Sequence, residues 1–267
     1  MSAGRVLVVI PVFGEPDITH ALLGDLALER DLLDVVVVDN KGDYEPVGWE
    51  DVLRPEGNLG WAGGTNHGTR ERLGPEHVGV LWLNNDTRLS LRFVAQLREA
   101  ARDTGAAVVG PVYNCHWHHQ HLPIWSDPRG YEPERLHLRA PFIDGTAMYV
   151  PRWALDRLGL LDDETFVPLG WGAEVDYCLR ARAAGLRVAI TRGAFLAHER
   201  AVTAQAVFGT YDAYLEEAWP GMVAGMEARW GPDWKARAQL DPESLQVGLI
   251  DSLPRLRRRL VRRRRRS

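Results

Sequence analysis

Cysteine is nearly missing from this chain. Cys115 and Cys178 are its only two in 267 residues, too few for a disulfide framework, and Cys178 lies in a helical pattern where a buried thiol is the ordinary expectation. Long apolar runs are missing as well. No stretch approaches the roughly 20 residues that span a bilayer. The opening MSAGRVLVVIPVFGEP has no basic leader region and no small-residue cleavage site, so the chain is expected to be intracellular. With 45% hydrophobic residues, it can bury a full core as one large domain or as a domain with an appendage.

One acid-free segment is densely basic. The tail PRLRRRLVRRRRRS holds nine arginines, from Arg255 to Arg266, and no acid. Of the formal net charge of −4 this tail contributes +9, so residues 1–254 carry −13. Such a block reads either as a solvated tail or as an electrostatic contact with anionic membrane lipid or DNA. Leu256, Leu260 and Val261 would give a helical tail a small apolar face, which favours a membrane surface.

What is present is a rhythm. RVLVVIPV (5–12), DVVVVDN (34–40), DVLRP (51–55), VGVLWL (78–83) and AAVVGPV (106–112) are short apolar runs of the kind that form buried parallel strands. Residues 17–30, 62–73 and 90–103 between them have helical spacing, so the first half predicts an α/β layer with helices on both faces of the sheet. Residues 113–141, rich in Pro, His and Trp, predict a long irregular excursion of the kind that carries function on α/β scaffolds. A strand and a short helix follow, then a helix ended by Gly185 and another strand. From about 203 the pattern predicts helices with a break near Pro220 and Gly221, and the body gives way to the tail near 240–254.

Polar residues gather at the predicted strand ends. Asp39 closes the second strand, Asn84, Asn85, Asp86 and Thr87 follow the fourth, Glu174 and Asp176 open a helix, and His198 ends the last strand. In open α/β sheets that edge binds ligands, and such acids with an imidazole could hold a divalent metal beside a diphosphate. Each acid alone reads equally as a turn former or helix cap. The segment NLGWAGGTNHGTRERL (58–73) is not a Walker loop or a Gly-x-Gly-x-x-Gly fingerprint. Its glycines either bring a helix N-terminus close to an anion or simply pack that helix on the sheet. His116, His118, His119 and His121 beside Cys115 lack the separated ligand pairs of a structural zinc site. They predict a solvent- or acceptor-facing loop, whose Trp117 and Trp125, with Trp171, either stack on a sugar or pack.

Seven segments taken in order, VVIPVFGE, VVVVDN, NLGWAGGTNHG, WLNNDTRL, IDGTAMYVPRWALDRLGLLDD, WGAEVDYCLRARAAGL and AHE, resemble family 2 glycosyltransferases of the GT-A fold. The similarity spans about residues 5–200 and is greatest to the bacterial rhamnosyltransferase and galactofuranosyltransferase branch. It implies an α/β, Rossmann-like, mostly parallel sheet flanked by helices. Residues 1–202 would form the transferase domain, with 1–112 binding the nucleotide sugar and 113–202 carrying acceptor and catalytic groups; 203–254 would be a C-terminal helical extension and 255–267 the Arg-rich tail.

By position, the resemblance assigns Pro11, Phe13, Glu15, Asp39, Asn58, Gly60, Gly63, Gly64, Asn66, Asn84, Asn85 and Asp86 to the nucleotide sugar. It assigns Asp86 and His198 to Mn²⁺ or Mg²⁺, Trp171, Gly172 and Asp144 to the acceptor, and Glu174 and Asp176 to catalysis. Two positions depart from the family pattern: Asn84 stands at the first acid of the DXD motif, and Ala173-Glu174 replaces the Glu-Asp pair, leaving Glu174 as the general base of an inverting displacement. The implied donor is dTDP- or UDP-linked, such as dTDP-rhamnose or UDP-galactofuranose. The acceptor is a glycan, a lipid-linked sugar, a natural product or a nucleic acid. The implied location is cytoplasmic, with the tail offering a peripheral contact at the inner membrane face. Two other classes compete: a nucleotidyltransferase, whose Gly-rich basic loop after the first strand is not found in PVFGEPDIT, and a non-catalytic sugar-nucleotide-binding relative docked on DNA or membrane through the arginines.

Overall fold

Arg5–Val12 (β1) is a run of aliphatic side chains that a strand sends alternately to two faces. Leu7 and Val9 enter one apolar cluster, and Val6, Val8, Ile10 and Val12 enter the other. The computed structural model describes residues 4–114, 119–124, 127–167, 169–198, 208–240 and 247–250, and its chain is built on that two-sided pattern. After β1 come α1 (Pro16–Leu26), a short 3₁₀ helix (Ala27–Leu32), β2 (Leu33–Asp39), β3 (Asp51–Leu53), α2 (Gly60–Arg72), β4 (His77–Leu83), β5 (Thr87–Leu89), α3 (Phe93–Thr104) and β6 (Val108–Tyr113). The second half adds β7 (His137–Arg139), β8 (Ala147–Pro151), α4 (Arg152–Leu158), α5 (Ala173–Ala183), β9 (Val188–His198), α6 (Tyr211–Trp230), α7 (Trp234–Ala238) and β10 (Gly248–Leu249).

The strands form one mixed sheet in the order β10-β7-β9-β6-β8-β4-β1-β2-β3, with β5 paired to β9. β4, β1, β2 and β3 are parallel, β6 and β9 are parallel, and β8 runs antiparallel between β4 and β6. The carboxyl ends of β1, β2, β4, β6 and β9 therefore share one edge with the amino end of β8. Leu22, Leu23 and Leu26 of α1 and Phe93, Val94 and Leu97 of α3 cover one face; Ala62 of α2, Ala154 and Leu155 of α4 and Val175 and Cys178 of α5 cover the other. α2 reaches the sheet because residue 68 has no side chain: a Cβ there would lie 2.6 Å from Val9 Cγ1 and 2.9 Å from Val38 Cγ2.

Three local expectations change. The helix predicted over 90–103 begins only at Phe93, because Thr87–Leu89 first pairs with β9. The irregular excursion over 113–141 contains an edge strand, His137–Arg139, also paired with β9. Pro220 does not break the C-terminal helix, which runs through it from Tyr211 to Trp230. Pro220 and Glu216 are both exposed, so the carbonyl that proline leaves without an N–H partner faces water. Cys115, His116, Trp117, His118, Trp125 and the Arg255–Arg266 tail lie outside the described residues. Among the described residues no helix is long and apolar enough to cross a membrane.

Candidate active site

The cleft at the carboxyl edge starts from β4. The Asn84 backbone N–H donates to the Thr146 carbonyl (2.9 Å), and its carbonyl accepts from Thr87 Oγ1 (3.0 Å), so the Asn84–Asp86 turn is fixed against the segment entering β8. β5 then lies antiparallel to the end of β9 with Thr87 opposite His198. This ladder brings together residues 112 apart in sequence: His198 Nε2 lies 3.1 Å from Asp86 Oδ1. A carboxylate and an imidazole in contact at a strand edge fit a divalent cation. Asn84 Oδ1 is buried and without a hydrogen-bond partner among the described residues. Asn85 turns away, its Nδ2 donating to Thr19 Oγ1 of α1 at 3.1 Å.

Glu174 sits in the first turn of α5. Its Oε2 accepts the Gly172 N–H at 3.1 Å. Burial first, and then the nearby Asp144 charge, raise its carboxyl pKa to about 8, a value suited to proton transfer near neutral pH. Asp144 is held by the Thr146 N–H (2.8 Å) and hydroxyl, and its own N–H donates to Gln120 Oε1 at 2.7 Å. Gly172 has φ +92°, and a Cβ on it would meet Phe166 at 2.9 Å and Met222 of α6 at 3.0 Å; this turn needs glycine because α6 packs directly on it. Trp171 donates its indole N–H to the Tyr214 hydroxyl. This contact puts the first turn of α6 beside the Glu174 turn; burial raises the Tyr214 phenol to about 12, and the Glu174 and Asp86 carboxylates act in the same direction.

Other expected site residues are engaged elsewhere. Asp176 is fully buried; Arg180 Nε donates to its Oδ2 (2.8 Å), and Arg229 Nε (3.2 Å) and Trp230 Nε1 (2.9 Å) donate to its Oδ1. That cage ties α6 to α5 and leaves the carboxylate closed to a substrate. Asn66 clasps the Leu161 backbone in both directions, at 2.9 and 3.1 Å. Asp39 accepts the Gly42 and Tyr44 N–H groups (2.7 and 3.0 Å) and pairs with Arg54 (3.2 Å), so it shapes the β2–β3 loop. Pro11 is buried in β1, one residue before the strand ends at Val12, with Phe13 half-buried and Glu15 exposed just beyond the strand. Asn58 accepts the Gly60 N–H at 2.9 Å where α2 begins without a side-chain cap, and Gly63 and Gly64 follow in its first turns, Gly64 against Pro11 and Asn40. His119 donates its Nε2–H to the Phe142 carbonyl (3.0 Å) and packs on that residue's ring.

Sequence reasoning passed over Asn40, Trp61 and Tyr214. Trp61 lay inside a quoted motif, but tryptophan identity alone does not separate packing from function. Asn40 follows Asp39, and its Oδ1 accepts the Leu59 N–H at 3.1 Å, a contact between segments 19 residues apart. A second cluster, Asp34, Glu76 and His77, places three potential ligand atoms within 4.8 Å, but at the amino ends of β2 and β4, the opposite edge. There His77 Nδ1 accepts the Gly74 N–H (2.8 Å) and Nε2 meets Asp34 (3.0 Å), so both ring nitrogens already serve the fold.

No protein-family model matches the chain. Over 231 residues it is 36% identical to the uncharacterized proteins Rv1525 of Mycobacterium tuberculosis and Mb1552 of Mycobacterium bovis, covering 86% of this chain and 87% of each relative. The chain belongs to their family. Among solved structures, GalNAc-T7 crystallised with UDP, GalNAc and Mn²⁺ superposes with a TM-score of 0.56 at 14% identity, covering 73% of this chain. This chain spans only 44% of that one. Residues 1–349 of TarS from S. aureus superpose with a TM-score of 0.53 at 12% identity, covering 90% of this chain and 76% of that one. The family member described here thus has the GT-A glycosyltransferase fold.

Proposed function

We propose that this protein is an inverting family 2 glycosyltransferase that moves a sugar from a dTDP- or UDP-linked donor, dTDP-rhamnose or UDP-galactofuranose in the branch it resembles, to an acceptor hydroxyl. The observation that carries the reading is the Asp86–His198 contact at the carboxyl edge of a GT-A sheet, with Glu174 raised to about 8 on the same cleft. Asp86 and His198 would hold Mn²⁺ or Mg²⁺, and a bound cation supplies positive charge opposite the departing diphosphate. Pro11, Phe13 and Glu15, with the loop that Asp39 shapes, form the base and ribose side. Asn58, Gly60, Gly63 and Gly64 bring the uncapped start of α2 toward the phosphates, where backbone N–H groups favour an anion.

On the acceptor side, Trp171, Gly172 and Asp144 border Glu174. The Glu174 carboxylate takes the proton of the acceptor hydroxyl as that oxygen bonds to the anomeric carbon and the carbon–oxygen bond to the diphosphate breaks on the opposite face. Asp176 supports this step by fixing α6 against α5. The acceptor is a glycan, a lipid-linked sugar, a natural product or nucleic acid; the arginine tail would bring the enzyme to an anionic membrane face or to DNA.

A base is active only when ionised. Turnover, read as UDP or dTDP release from the candidate donors, should therefore rise with pH and level off above about 8. Asp144→Asn keeps an oxygen for the Thr146 N–H but removes the charge that helps hold the Glu174 proton. Its acid limb should shift to lower pH. A limb unmoved by Asp144→Asn, or a plateau already reached at acidic pH, would contradict this assignment of the base.

A further inference from the structure

Two buried polar atoms on the cleft have no hydrogen-bond partner among the described residues: Asn84 Oδ1, an acceptor, and Trp61 Nε1, a donor. Leaving a buried polar group unpaired costs stability, and such groups in native proteins call for an explanation. Both border the same short turn, Asp144–Thr146. Asn84 is tied to it through the Thr146 carbonyl at 2.9 Å. The Trp61 indole lies over its middle, where a Cβ on Gly145 would meet Cη2 at 3.0 Å and Cζ2 at 3.1 Å, with Glu174 Cβ at 3.5 Å. The other edge of the ring lies against Gly170, whose Cβ would meet Cε3 at 3.5 Å. Glycines on two sides thus set the indole plane and, with it, the direction of the N–H.

From this arrangement we infer that Trp61 and Asn84 are the residues that recognise the hydroxyl groups of the transferred sugar, Asn84 Oδ1 accepting from one O–H and Trp61 Nε1–H donating to a sugar oxygen. The inference rests on the glycosyltransferase reading and deepens it. A polyhydroxylated ring is the chemical class that supplies both roles at once, whereas a phosphate would leave the Asn84 oxygen facing another acceptor. Both groups are held by backbone contacts or by ring packing, so little ordering cost accompanies binding.

The test compares free nucleotides with sugar nucleotides in the presence of Mn²⁺: UDP against UDP-galactofuranose, UDP-glucose and UDP-galactose, and dTDP against dTDP-rhamnose, titrated into wild type, Trp61→Phe, Asn84→Ala and Asn84→Asp. Trp61→Phe keeps the ring and removes the N–H; Asn84→Asp keeps an oxygen acceptor. Wild type should bind one sugar nucleotide more tightly than its parent nucleotide. Trp61→Phe and Asn84→Ala should each erase about 10-fold of that preference while binding the free nucleotide as wild type does. Asn84→Asp should keep more of the preference than Asn84→Ala, an arm that stands even if Trp61→Phe folds poorly. Equal losses for nucleotide and sugar nucleotide, no loss, or a wild type with no sugar preference would overturn the inference while leaving the transferase reading intact. A wild type that binds no nucleotide would overturn that reading and this inference with it.

Discussion

Glu174→Gln should lower sugar transfer by about 10²–10⁴-fold, the usual contribution of a positioned general base, while nucleotide binding stays at the wild-type level. The substitution is nearly isosteric, and its amide oxygen can still accept the Gly172 N–H now bonded to Oε2 at 3.1 Å, so the first turn of α5 keeps its shape. What disappears is the capacity to take a proton. Steady-state release of UDP or dTDP beside a binding titration separates the two effects: a fall in kcat without weaker binding is the signature of a group used in the transition state. Wild-type turnover in the variant would remove Glu174 from the chemistry. The role would then fall to Asp144, because Asp176 is fully occupied by Arg180, Arg229 and Trp230.

Asp176→Ala should produce the largest loss of stability, about 3 kcal/mol. Removing one partner of a buried ion pair leaves its cations uncompensated, typically at about 3–5 kcal/mol. The lower end applies because Arg229 remains 38% exposed and keeps a second contact with Asp162 at 3.3 Å. Chemical unfolding measures this directly, and a loss below about 1 kcal/mol would show that the cage does not hold α6 to α5. The variant should also lose turnover, because α6 carries Tyr214 to Trp171.

Asp176 also marks where sequence reasoning reached its limit. Its position in a helix first turn was readable, but its partners Arg229 and Trp230 lie 53 and 54 residues away, on a helix beyond the span of any recognised motif. Asn66 is similar: its role is set by Leu161, 95 residues later. The parallel strands were readable because strands buried on both faces are continuous apolar runs. β5 and β7 were not, since three-residue strands containing Arg88 or Arg139 exist only through long-range pairing, β5 with β9 and β7 with β9 and β10. That same pairing creates the Asp86–His198 contact. Sequence order suggested both residues as ligands, but only the ladder explains why they meet.

The most direct test of the account is calorimetric titration of the full chain with UDP, dTDP and GDP, each with and without Mn²⁺, using Asp86→Ala as the control. The account predicts that UDP or dTDP binds, that binding strengthens with Mn²⁺, and that the metal-dependent part disappears in Asp86→Ala. Absence of binding to all three nucleotides, or binding in Asp86→Ala that still responds fully to Mn²⁺, would contradict it.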